Sequence, residues 1–421
     1  MEPVLSRRTH PVSSPTGNRL ASMHERRVIR SADPRLGLLV ALARRGPRIV
    51  QVPRLGWVVR DPTLIRELLV DHRSTSLLGE GGVGHLWSQV LGDWVEDLFD
   101  GRGHHSLRTR ARDLFTEAAA RDLVAQAAGP VTDLVRARLA AGGSVDVADL
   151  ARVLVGRLVV AMLGIDVATF AGEAAAAGLD EDGWGAYRLV FARGEELAAL
   201  ALGTQADTHL GAATVDRART ILGTLTGGVA TAYASSPETT VLGRCRALGV
   251  TEQEATGLAS LLLVAGTETA ASAIARTAAL LADTGQAARL SASGGDERDH
   301  LLDVAVREGL RVTTPVIGRH VTRDVRLGGR ILRAGDRVLA LTYVANTAPG
   351  SLDLDRPYLP DNRHLWFGAG RHLCLGAPVA RAELRAVLAA LADAGPWTVV
   401  EREAARGVLI PTYRRLVVAR P

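Results

Sequence analysis

The chain has 421 residues, 47% of them hydrophobic and 23% charged, with 50 basic against 45 acidic side chains and two cysteines. That apolar content excludes a disordered or fibrous chain and suffices for a sizeable core, and length alone suggests two or three domains or one large one. A net charge of +5 is too thinly spread to mark a nucleic-acid surface, and Cys245 and Cys374 stand too far apart for a disulfide framework or a paired zinc knuckle.

The first 35 residues are rich in Arg and Ser and interrupted by Pro11, Pro15 and Gly17, so a flexible leader is expected over 1–35 and a folded chain over 36–421. The apolar stretch 36–43 falls short of the roughly 20 residues that span a bilayer. No other stretch is uncharged for long enough, so a soluble, cytoplasmic protein without a membrane segment is expected. Ile49-Val50-Gln51-Val52 and Trp57-Val58-Val59, joined by Pro53-Arg54-Leu55-Gly56, read as a hairpin, and Asp61-Pro62 opens a helix to about Val70. From about 108 to 290, Ala, Leu, Val and Arg recur at three-to-four spacing between breaks such as Gly142-Gly143, Gly164, Gly227-Gly228 and Pro237, the pattern of packed helices. Within it Thr251-Glu252-Gln253-Glu254 has the form of a capping box and starts a helix to about 282, roughly 45 Å long at about 1.5 Å per residue. Another helix starts near 299, and 377–394 reads as a helix with Pro378 in its first turn. Strand signals return only after Val321, at 325–332, 338–343, 397–400 and 416–418. The fold class is mainly α with small β-sheets.

Chemistry concentrates in Phe367-Gly368-Ala369-Gly370-Arg371-His372-Leu373-Cys374-Leu375-Gly376. Gly368 and Gly370 allow a tight loop, Gly376 allows close backbone approach, and Cys374 falls at a helix N-terminus, where the dipole favours a thiolate. Such a sulfur is a nucleophile, a zinc ligand, a haem ligand or a buried structural thiol. His372 is poorly placed as a base for it, and zinc would have only His364, His372 and Cys374 nearby.

The central segment Ala265-Gly266-Thr267-Glu268-Thr269-Ala270 sets an acid and hydroxyls in an apolar run, which is costly without partners or a task. Glu308 and Arg311, three apart on a helix, are neighbours on one face. Asp100-Gly101-Arg102-Gly103-His104-His105-Ser106-Leu107-Arg108 opens a helix, and Arg319 follows the Glu-x-x-Arg helix.

The string Phe-Gly-x-Gly-x-His-x-Cys-x-Gly resembles the haem-binding loop of the cytochrome P-450 family, the haem-thiolate monooxygenases, and the other motifs follow that family's order. The resemblance implies a single-domain triangular P-450 fold, haem b (iron protoporphyrin IX) as cofactor and Cys374 as its axial metal ligand, with Phe367, Gly368 and Gly376 shaping the loop. It implies propionate contacts from His372, His104, Arg108 and Arg319, whose guanidinium groups suit carboxylates. Ala265 and Gly266 would leave room for dioxygen, and Glu268 and Thr269 would relay protons. Glu308 and Arg311 would form the buried charge pair beside the haem loop, completed by Arg356 or, failing that, Arg363.

By the same resemblance the substrate pocket would draw on Leu86, Trp87, Val90, Leu91 and Trp94, on Leu262 and Leu263, on Thr314, Val316 and Ile317, and on Leu409 and Ile410. The activity implied is oxidation of a moderately sized apolar or aromatic molecule, with atypical P-450 chemistry (oxidative coupling, ring closure or peroxide-driven turnover) as the alternative and a haem sensor as the non-enzymatic one. No flavin or nicotinamide motif is present, so a ferredoxin and its reductase are the expected electron donors to a monomer. Arg108, Arg110, Arg112 and Arg371 would form the basic docking face. The absence of lysine resembles a GC-rich actinobacterial bias, which suggests secondary metabolism.

Overall fold

Proline is harmless in the first turn of a helix, where its missing N–H would find no intrahelical acceptor, and this chain starts helices at or beside Pro15, Pro34, Pro62 and Pro378. The computed structural model describes residues 15–421 apart from 81, 93, 102, 203–208, 363 and 364. Pro15 corrects the expected flexible leader: it begins the helix Pro15–Ala32, which buries Ala21, Glu25, Val28 and Ile29. Residues 1–14 lie outside the described residues, as do Arg102, Arg363 and His364.

The hairpin Ile49–Val52/Gly56–Val59 is present, with Ile49 opposite Val59 and Gln51 opposite Trp57. It is one end of a five-stranded sheet that continues through Arg337–Ala340 and Ile317–Val321 to Thr75–Ser76. Gly56–Val59 and Arg337–Ala340 pair parallel, and the other neighbours pair antiparallel. Two sequence expectations are corrected here. Strand structure returns at Ile317 rather than after Val321, and 338–343 is a strand only to Ala340, after which Thr342–Thr347 is helical. Arg319 stands opposite Val338 and is buried by the sheet. The expected strand 325–332 is a two-stranded hairpin, Val325–Leu327 with Arg330–Leu332, and of the last strands Tyr413–Ala419 lies between Thr398–Ala404 and Ser144–Asp146, antiparallel to both.

The helix Glu252–Asp283 carries the full capping box, with the Thr251 hydroxyl accepting from the Glu254 amide. It packs against the helices Val147–Leu163, Gly185–Leu202, Gly295–Thr313 and Ala377–Ala394, and so forms the axis of the helical core. Among the described residues it is the one helix long and apolar enough to cross a membrane, but 72% of its apolar window is buried inside the protein. Its composition therefore reflects burial among other helices.

Candidate functional site

A helix packed on all sides should bury every side chain, and between residues 257 and 281 the central helix has exposed residues in one place. Leu261, Leu263, Val264, Thr267 and Ala270 are buried, whereas Ala265 and Thr269, one turn apart, are exposed. Adding a Cβ at Gly266 would meet nothing within 4 Å. One face of the helix therefore opens onto space, bounded by small residues. The Thr269 hydroxyl donates to the Ala265 carbonyl at 3.1 Å, which loosens the helix locally and leaves the oxygen's lone pairs facing that space. Glu268 turns away: its Oε2 accepts from the Ile410 amide at 3.3 Å. Burial, aided by the charge of Glu195, raises the Glu268 carboxyl to about 7.

The cysteine loop is the second opening. Gly368 and Gly370 have φ of +78° and +66°, in the left-handed region that favours glycine, and a Cβ on Gly370 would lie 2.8 Å from the Leu69 carbonyl oxygen. Gly376 has φ −79°, and its Cβ would lie 3.9 Å from the Cys374 sulfur, an ordinary contact. The Cys374 amide donates to the Phe367 carbonyl at 2.9 Å and closes the loop, and Arg381 lies over the Phe367 ring at 5.6 Å. The Gly376 and Ala377 amides point at the sulfur. Burial pushes the Cys374 thiol up, and the amides, Arg108 and Arg381 offset this only in part. A metal's charge would favour the thiolate further.

Asp100 organises the adjoining segment. Its carboxylate accepts from Ser76 Oγ at 2.7 Å, from the Leu77 amide at 3.0 Å and from His372 Nε2 at 3.0 Å. Burial pushes this carboxyl up, but the bond to His372 and the others outweigh it and hold it at about 2. His372 Nε2 also lies 2.9 Å from the Phe99 carbonyl, so that nitrogen is occupied and the expected propionate contact does not use it. His104 is buried and His105 exposed, which places His104 inward, with its Nδ1 2.6 Å from the Leu98 carbonyl. Burial lowers the His104 pKa to about 4, so the ring is neutral. Arg108 donates to the Leu373 carbonyl, inside the cysteine loop. Arg319 is 5% exposed, its Nε has no partner, and burial brings its pKa down to about 10.

These residues fit a haem. A thiol backed by amides, an open helix face of small residues, a buried guanidinium whose Nε is unpaired and a neutral buried imidazole form a donor set for an iron and its carboxylates. The buried charge network beside the loop is as expected: Arg311 binds Glu308 at 2.6 and 2.8 Å and Arg356 Nε lies 3.1 Å from the same carboxylate, so Arg356 completes it.

The family profile described as Cytochrome P450 matches residues 298–394, which hold the Glu308–Arg311 pair and the Cys374 loop. A solved structure titled "Crystal Structure of CalO2" superposes with TM-score 0.71 at 26% identity, covering 95% of this chain and 98% of that one. The chain matches the cytochrome P450 family over residues 298–394 and has the P450 fold. Members of this family bind haem through a cysteine thiolate. This P450 is also similar to the monooxygenase PikC of Streptomyces venezuelae, 39% identical over 156 residues, and to nocardicin C N-oxygenase of Nocardia uniformis subsp. tsuyamanensis, 38% identical over 152. The matched stretches are 35% and 34% of the P450 chain and 36% of each relative's own length.

The expected pocket residues divide. Val316 and Ile317 are half-buried, Leu409 is exposed, and Ile410 is tied to the central helix through Glu268. Leu86, Val90 and Leu91 are buried, and so is Trp87, whose Nε1 has no partner. Trp94 instead donates to the Leu91 carbonyl and covers Gly257, where a Cβ would lie 2.1 Å from its ring; it is a packing residue. Leu263 is fully buried on the side of Thr267, away from the open face. Leu262 lines an apolar cleft with Leu114, Phe115, Leu258 and Cys245. Sequence reasoning missed Asp100 as the partner of His372, and Glu195 beside Glu268.

Proposed function

We propose that this P450 is a haem-thiolate monooxygenase that uses O2 and two electrons from a separate ferredoxin and reductase to oxidise a moderately sized apolar or aromatic molecule. It acts as a soluble, cytoplasmic monomer in bacterial secondary metabolism. The observation that carries this reading is the exposed Ala265–Thr269 face in the middle of the central helix, with Glu268 held near neutrality behind it. A sensor needs neither group. The names of two relatives, a monooxygenase and the N-oxygenase of nocardicin C, support an oxygenating role on natural products.

When bound, the haem would supply redox chemistry and oxygen activation, with the Cys374 thiolate donating electron density to iron. The chain's own residues supply position and protons. Gly376 and Ala377 direct their amides at the Cys374 sulfur and temper its donation. Arg319 and Arg108 offer guanidinium groups to the propionates, and His104 offers its free ring nitrogen. Thr269 presents a hydroxyl that accepts a proton from one side and donates from the other. Glu268, with a pKa of about 7, holds a proton below neutrality and releases it near the operating pH, as general acid catalysis favours.

The reduced protein with carbon monoxide is expected to show the red-shifted Soret band of thiolate ligation, and Cys374→Ser is expected to lose it. An unshifted band in the wild type overturns the reading.

A further inference from the structure

Glycine at a helix crossing lets two backbones approach, and the residues next to it then meet across the contact. A Cβ on Gly194, in the helix Gly185–Leu202, would lie 2.7 Å from Thr267 Cγ2 on the central helix. Glu195 and Glu268 are the next residues along the two helices, and both are half-buried. They are within electrostatic reach of one another, and each is raised by burial.

Their other neighbours differ. Glu268 receives the Ile410 amide from the C-terminal loop. Glu195 feels Arg152, from the helix Val147–Leu163, whose guanidinium also donates to the Tyr413 and Arg414 carbonyls at 2.8 and 3.0 Å. Glu196 is occupied elsewhere, paired with Arg193 and Arg217. Thus the cation acts on Glu195, and of the two electrostatically coupled carboxyls Glu268 is the one that keeps its proton.

We propose that Glu195 and Glu268 form a coupled carboxyl pair that holds one proton behind the open face of the central helix, Glu195 being the positioning residue that keeps Glu268 in its acid form. The proposal deepens the monooxygenase reading and rests on it for its catalytic meaning. The exchange is balanced: the Glu195 acid and the Glu268 carboxylate become the Glu195 carboxylate and the Glu268 acid, and the proton Glu268 gives up inward is replaced from water through the half-exposed Glu195.

The test is an infrared titration of the haem-loaded ferric protein, following the carboxylic-acid carbonyl band. The Glu268 contribution to the band, taken as the difference between the wild type and Glu268→Gln, is expected to disappear near pH 7, below the loss of the Glu383 contribution near 8. In Glu195→Gln its midpoint is expected to fall by about one pH unit, the order of the effect of a neighbouring like charge. Glu195→Asp, which keeps the charge, should retain the wild-type midpoint and keeps the test available if the glutamine variant folds poorly. An unchanged midpoint in Glu195→Gln, or an equal shift in Glu195→Asp, overturns the pair. Failure of the monooxygenase reading would appear separately, as a missing thiolate band in the carbon monoxide spectrum, and leaves this titration interpretable.

Discussion

Glu25, in the helix Pro15–Ala32, places a carboxylate oxygen 2.5 Å from the guanidinium of Arg276 in the central helix, with the two side chains 6% and 2% exposed. Arg276 also donates to the Thr313 carbonyl at 3.0 Å, so its charge is matched inside the core by a residue 251 positions away. A second cluster, His24 with Asp283 and Arg402, repeats the connection one edge out.

Removing one partner of a buried ion pair strands the other charge and costs about 3–5 kcal/mol. Glu25→Gln is therefore expected to lower the unfolding free energy by that amount, read as a lower urea midpoint with little change in slope. A loss below about 1 kcal/mol would show that the first helix does not dock on the core. Replacing both residues with apolar ones, Glu25→Leu with Arg276→Met, should recover most of the loss, because neither charge is then left buried.

This helix also shows where the sequence stops being informative. Pro15 and Gly17 carry local breaker signals, and the burial of Ala21 and the pairing of Glu25 depend on residues hundreds of positions away. The strand Ile317–Val321 was hidden for a similar reason: Gly318, Arg319 and His320 interrupt the alternation, and only its pairing with Arg337–Ala340 makes it a strand. What was legible had a local cause. The capping box at Thr251, the glycine loop before Cys374 and the Glu308–Arg311 spacing are all set within a few residues, and each is found as read. Arg356 was found because its segment returns beside Glu308, whereas Asp100 with His372 and Glu195 with Glu268 are meetings of separate elements with no spacing to announce them.

Thr269 spends its proton on the Ala265 carbonyl, so its removal should leave packing intact and change only what faces the opening. Thr269→Ala is expected to fold with the wild-type carbon monoxide spectrum and to consume reductant at a similar rate while forming several-fold less product. Product yield per reductant consumed is the measurement. An unchanged ratio would remove Thr269 from proton delivery, and a lost spectrum would assign it a structural task instead.

Of the four arginines expected from the sequence to form a docking face, few are free to steer a partner. Arg110 is paired with Glu254 at 2.7 Å, Arg108 is held by the Leu373 carbonyl, and Arg371 lies 3.7 Å from Asp100, whereas Arg112 is exposed. Arg112→Glu is expected to slow reduction by ferredoxin several-fold at low ionic strength and to flatten its salt dependence, because only exposed charges steer an encounter. Arg110→Glu should instead lower stability, since it breaks an ion pair to the capping box of the central helix. Stopped-flow reduction against added salt separates the two, and equal kinetic effects would show that the paired arginine steers as well.

Glu383, on the helix that follows Cys374, is 2% exposed and its Oε1 has no partner. Burial alone pushes its carboxyl up to about 8. An unfolded glutamate ionises near its ordinary value of about 4.3, so between there and about 8 the unfolded state has lost a proton that the folded state keeps. The folded state binds more protons, and stability must therefore fall as pH rises through this window, levelling off above about pH 8. Below about pH 4 the two states are equally protonated at this residue and the penalty vanishes. Glu383→Gln removes the ionisation and keeps the shape, so the variant is expected to be more stable than the wild type at pH 8, with the gain shrinking steadily toward pH 5. Thermal melts of both proteins across this range decide it. Parallel curves would show that Glu383 finds a partner and stays ionised in the folded chain.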